Sequence, residues 1–543
     1  MYFRWEELPF IAPSQLETGK ENPVVIVGAG PVGLALALGL ARHGVPSTVL
    51  ERRRTISTGS RALAMNRRSM QILDQLGIGK AVLEKAVTWS EGWTFYDKHL
   101  VHHMDIAPPP NEKHGQTNLQ QCWMEQLLLD GLKKYPDTQV RYGHDVELVK
   151  PEGDLVKLRV GTDDGSYEAD AQYIVAADGP HGQTRKQLGL EYEGTSYTQQ
   201  FVINDIICKL PIPSGRRLFF NPPYLPGKAV LMHQAPFDMW RLDFQLLDGQ
   251  NAEEEMAPEN VHKRIRAHFD LMGIQADYEL LLTSVYRTNA LSLPTYNVGR
   301  VLFAGDAAHQ VPIFGGRGVN HGYSDAHNLA WKLASVVKKE AGPQLLDTYT
   351  LERRGDILDT LDELTRTTLF ITTPSPGVAL MREAVLSLSI DDGFLSNLFD
   401  PYASAPYRYS ESPLNVSPPA DTAFDARAGL GSICPDGKIG SCGTRLYDRF
   451  GTGFSVLVFT DDRSSGTTPS VTPVAGTAAV QAQRIDIPLS SELAQLLDAQ
   501  PNTTYLIRPD NRVAGRWRQY HDSTIQEALI RSAGATSRIT ETS

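Results

Sequence analysis

Gly28, Gly30 and Gly33 directly follow four β-branched residues, Val24 to Val27, in the stretch VVIVGAGPVGLALALGLARHGVPSTVLE at residues 24–51. Glycines at this spacing suit the binding of a dinucleotide pyrophosphate. The first permits a tight turn, the second lets phosphate oxygens approach the backbone at a helix N-terminus, and the third allows close helix–strand packing. Pro31 belongs to the same turn. Glu51, which ends the second short strand and precedes Arg52, can accept hydrogen bonds from a ribose diol. An isolated GxGxxG also occurs as an ordinary glycine turn, but strand, helix, second strand and terminal acid stand here in register. A carboxylate at that strand end repels a 2′-phosphate, so the expected ligand is FAD or NAD rather than NADP.

Two later segments decide between FAD and NAD. One is a strand, Tyr173 to Ala177, ending in Asp178-Gly179, with Arg185 further on. The other is a strand from Arg300 ending in Gly305-Asp306-Ala307-Ala308-His309, followed by Pro312 and the glycine-rich run Phe314 to Gly322. Asp306 is placed to accept hydrogen bonds from ribityl hydroxyls, which NAD does not possess, so FAD is preferred. The turn through Gly315, Gly316 and Gly318, continuing into Val319 and Asn320, sets backbone N–H groups and a helix N-terminus against a flavin pyrimidine edge. Negative charge accumulates there on reduction. Arg317 adds a full positive charge.

Together the GxGxxG, the DGxxxxxR at Asp178–Arg185 and the GDAAH at Gly305–His309 resemble, in that order, the class A flavoprotein monooxygenases. These are the single-component aromatic hydroxylases of the para-hydroxybenzoate hydroxylase and phenol hydroxylase type. The resemblance spans roughly residues 22–370. It implies resident FAD, NADPH or NADH as transient reductant, and a flavin C4a-hydroperoxide that passes oxygen from O2 to a phenolic or related electron-rich aromatic. It further implies that Arg61, Gln121 and Asp178 contact FAD, that Arg185 serves flavin or nicotinamide, and that Pro312, Tyr286, Arg287 and Arg317 act near the reacting atoms. This chain departs from the family at Gly182, usually Ser, at Ile313, often a second Pro, and at Arg317, commonly Gln or Lys. His233, Tyr224 and Tyr286 are all candidates for the base that deprotonates a phenol. Two alternatives stay open: a Baeyer–Villiger oxygenase on the same fold, and a non-redox protein that binds FAD and a metabolite.

These residues need elements to position them. The chain has 543 residues, 41% hydrophobic and 21% charged, and a net charge of −11. That composition fits a soluble protein of several domains with large cores. The acidity, and the absence of any Lys or Arg run longer than Arg52-Arg53-Arg54, argue against nucleic acid as partner. No apolar run reaches membrane-spanning length, and Glu6, Glu7 and Pro9 interrupt any signal-peptide core. Four scattered cysteines without CxxC spacing fit a reducing, cytoplasmic setting, and no spacing suggests a metal site.

The expected organisation has residues 1–22 as an extension and 23–190 with 286–400 as an α/β FAD-binding Rossmann-like domain. Residues 85–115 and 190–285 contribute an inserted antiparallel substrate sheet, in which Trp240 and Phe244 read mainly as core. The stretch 251–273 reads as an amphipathic helix and 324–340 as a helix of the FAD domain. Pro- and Ser-rich residues 401–425 read as a linker. Residues 426–543 resemble the thioredoxin-like C-terminal domain of phenol hydroxylases, including the Arg508-Pro509-Asp510 turn; without CxxC the expected role is structural. Partners are confined to a small aromatic substrate and O2, with a homodimer left open.

Overall fold

The computed structural model describes residues 3–16, 22–59, 62–109, 112–314, 316–373, 375–391, 406–416, 424, 428–440, 443–461, 471–474 and 482–534. Arg61, Gly315, Cys442 and most of 401–425 lie outside the described residues.

The apolar run Asn22–Val27 forms the centre of a sheet because its side chains are buried on both faces. Gly165–Ala176 and Thr48–Glu51 flank it in parallel, and Val301–Phe303 and Gln139–Tyr142 extend the parallel order outward. An antiparallel hairpin, Asp145–Glu152 with Leu155–Thr162, hangs on Gly165–Ala176. The helix Pro31–Arg42 covers this sheet and is itself covered by the helices Gly318–Val337 and Gln121–Leu132. Glycine permits that proximity: a Cβ at Gly39 would sit 2.9 Å from the Ala330 Cβ. The sequence places the later helix at 324–340, whereas it begins at Gly318, because the glycine turn runs straight into it.

The second sheet has the order His309–Gln310, Glu279–Ser292, Glu193–Ile207, Met239–Gln245, Ala229–Ala235, Arg216–Phe220, Glu91–Tyr96, His99–Asp105. It is antiparallel except where Glu91–Tyr96 runs parallel to Arg216–Phe220. Those two strands come from distant parts of the chain, so no hairpin forces them antiparallel. Val87–Trp89 leaves this sheet to join Ala64–Met65 and Gln116–Asn118 in a small sheet of three. Alternation divides each strand between two faces. The outer face, with Trp240, Leu242, Phe244 and Met232, packs on Val261, Ile265 and Phe269 of the helix Pro258–Leu271. The helical stretch is shorter than 251–273 because Ala252–Glu255 forms a separate turn of helix before Pro258.

The C-terminal sheet has the order Val471–Val474, Ala482–Pro488, Phe454–Thr460, Thr504–Ile507, Val513–Trp517, with helices Glu492–Leu496 and Asp522–Ser532. Its Arg508-Pro509-Asp510 turn plugs into the first domain. The Arg508 guanidinium bonds Glu352 at 2.5 and 2.8 Å, and Lys332 Nζ meets the same carboxylate at 2.7 Å. Burial raises the Glu352 carboxyl, but Arg508 and Lys332 outweigh it and hold it well below its ordinary value. Residues 406–416, read as linker, pack firmly. Ser412 Oγ donates to Glu352 at 2.5 Å, and the Asn415 amide donates to the Tyr409 carbonyl at 2.7 Å. The extension is also anchored, with Phe3 edge-on to Trp123 at 4.9 Å.

Candidate active site

Gly28 sits at φ +105°, and a Cβ there would stand 2.4 Å from the Ala177 carbonyl oxygen. A Cβ on Gly33 would meet the Gly28 carbonyl oxygen at 2.1 Å, whereas Gly30 faces nothing within 4 Å. Two glycines therefore serve the fold, and the third leaves open space at the N-cap of Pro31–Arg42. Glu51 is buried at the adjoining strand end. Its carboxylate accepts from Ala29 N at 2.9 Å and from Arg53 Nε at 2.8 Å. Burial pushes this carboxyl up, but the Arg53 hydrogen bonds and charge prevail and leave it below its usual value. Arg53, not the exposed Arg52, is the partner.

Gln121 begins its helix and binds Ser57 Oγ at 3.2 Å and Glu125 Oε1 at 2.8 Å. Glu125 is fully buried and also accepts from Ser57 N at 2.9 Å, while burial raises its pKa. Pro31, Gln121 and Val319, with Leu63, Met65 and Tyr323, line one shallow cleft.

The Gly305-Asp306 loop is fixed from both sides. Tyr192 Oη donates to the Asp306 carbonyl at 2.8 Å, and Asp325 accepts from Gly305 N at 2.9 Å, His309 Nε2 at 2.7 Å and Arg353 Nε at 2.7 Å. Burial alone would raise Asp325, but His309 and Arg353 hold it down to about 2. Arg185 stacks on Tyr192 at 4.4 Å and donates to the Leu190 carbonyl at 2.7 Å. Its side chain braces this loop.

Gly316 takes φ +62°, and a Cβ there would lie 3.2 Å from the Ala64 Cβ. Asn320 clips the turn down. Its amide donates to the Gly316 and Ala64 carbonyls, and its oxygen accepts from Asn66 N at 2.9 Å and Ser69 Oγ at 2.5 Å. That side chain is fully committed, so Asn320 can offer a ligand only its backbone N–H. The first helical N–H groups, of Gly318, Val319 and Asn320, have no intrahelical acceptor. Arg317 lies 3.6 Å from Glu363, which offsets its charge.

The inner face of the second sheet roofs this turn. Leu63 packs on Ala235 and Met239 at one end, and Ile313 and Phe314 pack on Phe201, Phe220 and Tyr286 at the other. Asn118 Nδ2 and Gln120 Nε2 tie the sheet down through the Gln234 and Pro236 carbonyls at 2.7 and 3.2 Å. Between these ends runs a polar row across neighbouring strands: Arg216 opposite His233, His233 opposite Arg241, Arg241 opposite Asp205. Asp243, one pleat along from Arg241, shares that face.

The match to known proteins places this geometry. A family model described as FAD binding domain covers residues 21–362. The chain belongs to that FAD binding domain family. Among curated relatives, the 3-(3-hydroxy-phenyl)propionate/3-hydroxycinnamic acid hydroxylase of Paraburkholderia xenovorans (strain LB400) is 32% identical over 351 residues, 64% of this chain and 55% of that protein. The enzyme of the same name from Mycolicibacterium smegmatis (strain ATCC 700084 / mc(2)155) is 30% identical over 369 residues, 67% of this chain and 64% of that protein. The matches thus span 55 to 64% of those relatives. The flavin-dependent monooxygenase PieE, solved with FAD and substrate, is 22% identical and superposes with a TM-score of 0.79 over 95% of this chain and 100% of its own. It shares the fold.

The residues present fit FAD. The glycine cradle tolerates no Cβ at Gly28 or Gly33, Gly30 opens to its surroundings, and Asp178 Oδ1 is buried with no hydrogen-bond partner. Burial raises the Asp178 carboxyl, against the pull of the Thr184 N–H. A Cβ on Gly182 would stand 2.2 Å from Asp178 Oδ1, so the missing side chain there gives Asp178 its room.

The sequence groups Tyr286 with Arg287, but the strand separates them. Tyr286 points inward, stacked on Phe201 at 5.4 Å, while Arg287 is exposed on the opposite face, its guanidinium donating to the Gln200 amide oxygen at 2.8 and 2.7 Å. Arg287 is therefore a surface residue here. Tyr224 lies on the outer face, bonded to His268 Nδ1 at 2.7 Å, which removes it as a base. Pro312 is buried beside the glycine turn. Among the described residues no cluster of His, Cys, Asp or Glu could hold a metal, and no helix is long and apolar enough to cross a membrane.

Proposed function

We propose that the chain is an FAD-dependent monooxygenase that hydroxylates a phenolic or related electron-rich aromatic, using O2 and either NADPH or NADH. The carrying observation is that Ile313 and Phe314, which lead into the glycine turn, pack on Phe201, Phe220 and Tyr286 of the second sheet's inner face, so that the sheet lies against the turn. Names of the curated relatives point to the same substrate class. Bound FAD supplies hydride acceptance and the activation of O2. The chain does the rest. Gly30 and the Pro31 helix N-terminus would hold the pyrophosphate, Glu51 a ribose, and Asp306 and Asp178 the polar chain between the two ring systems. The N–H groups of Gly318, Val319 and Asn320, with Arg317, favour negative charge at the turn. Phe201, Tyr286, Ile313 and Phe314 form an apolar cluster that would keep water from a bound flavin ring.

On this reading the second sheet is the substrate domain. The C-terminal domain, whose strand order suits a thioredoxin-like fold, has a structural role. Its Cys434 is buried and burial pushes the thiol well up, so it is no nucleophile. The test is oxidation of NADPH and NADH by the FAD-loaded chain across a panel of phenols and cyclic ketones. Acceleration by phenols is expected. Acceleration by ketones alone would favour oxygen insertion, and indifference to every compound would leave an FAD-binding protein without this activity.

A further inference from the structure

The inner sheet face carries a carboxyl that neither the cofactor cradle nor the ion pairs of the fold employ. Asp243 lies between Leu231 and Ile203 on the flanking strands. It is only 5% exposed, and its Oδ1 has no hydrogen-bond partner. Its neighbour Arg241 is spent on Asp205, which it grips at 2.8 and 2.9 Å. Nearby, the Tyr286 hydroxyl is likewise buried without a partner, and the charge of Asp243 reaches it. A buried carboxyl left unbonded costs free energy, and a fold keeps such a group where something else completes it.

We propose that Asp243 receives the hydroxyl of the phenolic substrate and accepts its proton, with the Tyr286 hydroxyl bonding the same oxygen. This rests on the hydroxylase reading above and names the base within it. The phenolic O–H bond breaks, its electron pair stays on the substrate oxygen, and the proton forms an O–H bond on Asp243. The Tyr286 O–H donates to the resulting phenolate oxygen. Asp243 is suited to the exchange because burial, and then the Asp205 charge, outweigh Arg241 and raise its carboxyl to about 7. The other titratable group of the row, His233, is held neutral, near 3, by burial and by Arg216 and Arg241. That removes it as the acceptor.

The test compares the wild type, Asp243→Asn and Asp243→Glu as FAD-loaded full chains, with cofactor content as the control for folding. The first readout is equilibrium binding of two probe pairs that differ only by the hydroxyl: 3-(3-hydroxyphenyl)propionate against 3-phenylpropionate, and 4-nitrophenol against nitrobenzene. The wild type should prefer the hydroxylated member of at least one pair by about 10- to 100-fold, the range of a hydrogen bond to a charged group. Asp243→Asn should lose that preference. The second readout is the pH profile of kcat/KM, which should rise through about 7 in the wild type, lose that limb in Asp243→Asn and regain it in Asp243→Glu. A wild type with no preference for either hydroxylated probe, or an Asn variant that keeps preference and limb, overturns the assignment. Because binding needs no turnover, a protein that discriminates the hydroxyl yet oxidises no reductant would sink the hydroxylase reading alone.

Discussion

Arg241 and Asp205 face each other across adjacent antiparallel strands and close a two-pronged ion pair at 2.8 and 2.9 Å, with both side chains almost fully buried. The pair sits at the centre of the roof over the glycine turn. Removing one partner strands the other charge in a poor dielectric, so Arg241→Ala should cost about 3–5 kcal/mol. Replacing both by leucine should recover most of that loss. Thermal melts of the single and double variants check this, and an Arg241→Ala protein that melts like the wild type would contradict it.

Asp243 should make stability depend on pH in a defined direction. Its folded pKa is about 7 against an ordinary 3.8, so the folded chain binds this proton more tightly than the unfolded one. The group therefore favours folding at low pH, and the benefit is lost as pH climbs toward and past 7. Asp243→Asn should melt like the wild type only below about pH 3.8, and the gap should open between there and pH 7. At about pH 8 the variant should be the more stable by up to roughly 4 kcal/mol. The same substitution that impairs substrate handling would thus strengthen the fold, and a melt that is pH-independent relative to the wild type argues against it.

The three cradle glycines should respond differently to a methyl group. Gly30→Ala meets no protein atom within 4 Å, so the variant should fold normally yet purify with little FAD, because the Cβ occupies the approach to the backbone. Gly28→Ala combines a φ of +105° with a 2.4 Å clash and should destabilise the protein by about 2–4 kcal/mol. Flavin absorbance and melting temperature, measured on both, separate the cofactor role from the structural one. A Gly30→Ala protein as yellow as the wild type would remove the pyrophosphate assignment.

Arg317 and Glu363 form a pair at 3.6 Å, with Glu363 about a third exposed. If the turn stabilises negative charge on reduced flavin, Glu363→Gln frees the guanidinium field and should make reduction easier, by on the order of 0.5–1 kcal/mol after screening. Arg317→Ala should move the potential the other way. Redox titration of the bound flavin reads both, and matching shifts of the same sign would contradict the assignment.

Much of this architecture was legible because local chemistry and fold coincide. Val24 to Val27 reads as a doubly buried strand and is one, and the glycines after it are dictated by contacts a Cβ cannot share. What the sequence hid was long-range. Glu51 pairs with Arg53 rather than standing free, and Glu125 reaches Ser57 from a helix far along the chain. Asn320 spends its side chain on Ala64 and Ser69, a commitment that no motif announces. Tyr286 and Arg287 are neighbours in sequence but lie on opposite faces, as strand alternation requires once a strand is recognised there. Asp243 escaped notice because its significance depends on register: only the pairing of three strands puts it on one face with Arg241, Asp205 and His233. The Arg508-Pro509-Asp510 turn was recognisable as a motif, but its insertion against Glu352 was not.

The most direct test of the central claim is a turnover with isotopically heavy O2. The FAD-loaded chain is supplied with NADPH, heavy O2 and 3-(3-hydroxyphenyl)propionate or another phenol that accelerates reductant oxidation, and the products are analysed by mass spectrometry. A phenol that gains one heavy oxygen atom, with reductant consumed in proportion, is the predicted result. Reductant consumed into hydrogen peroxide alone, at a rate indifferent to every phenol offered, would contradict it.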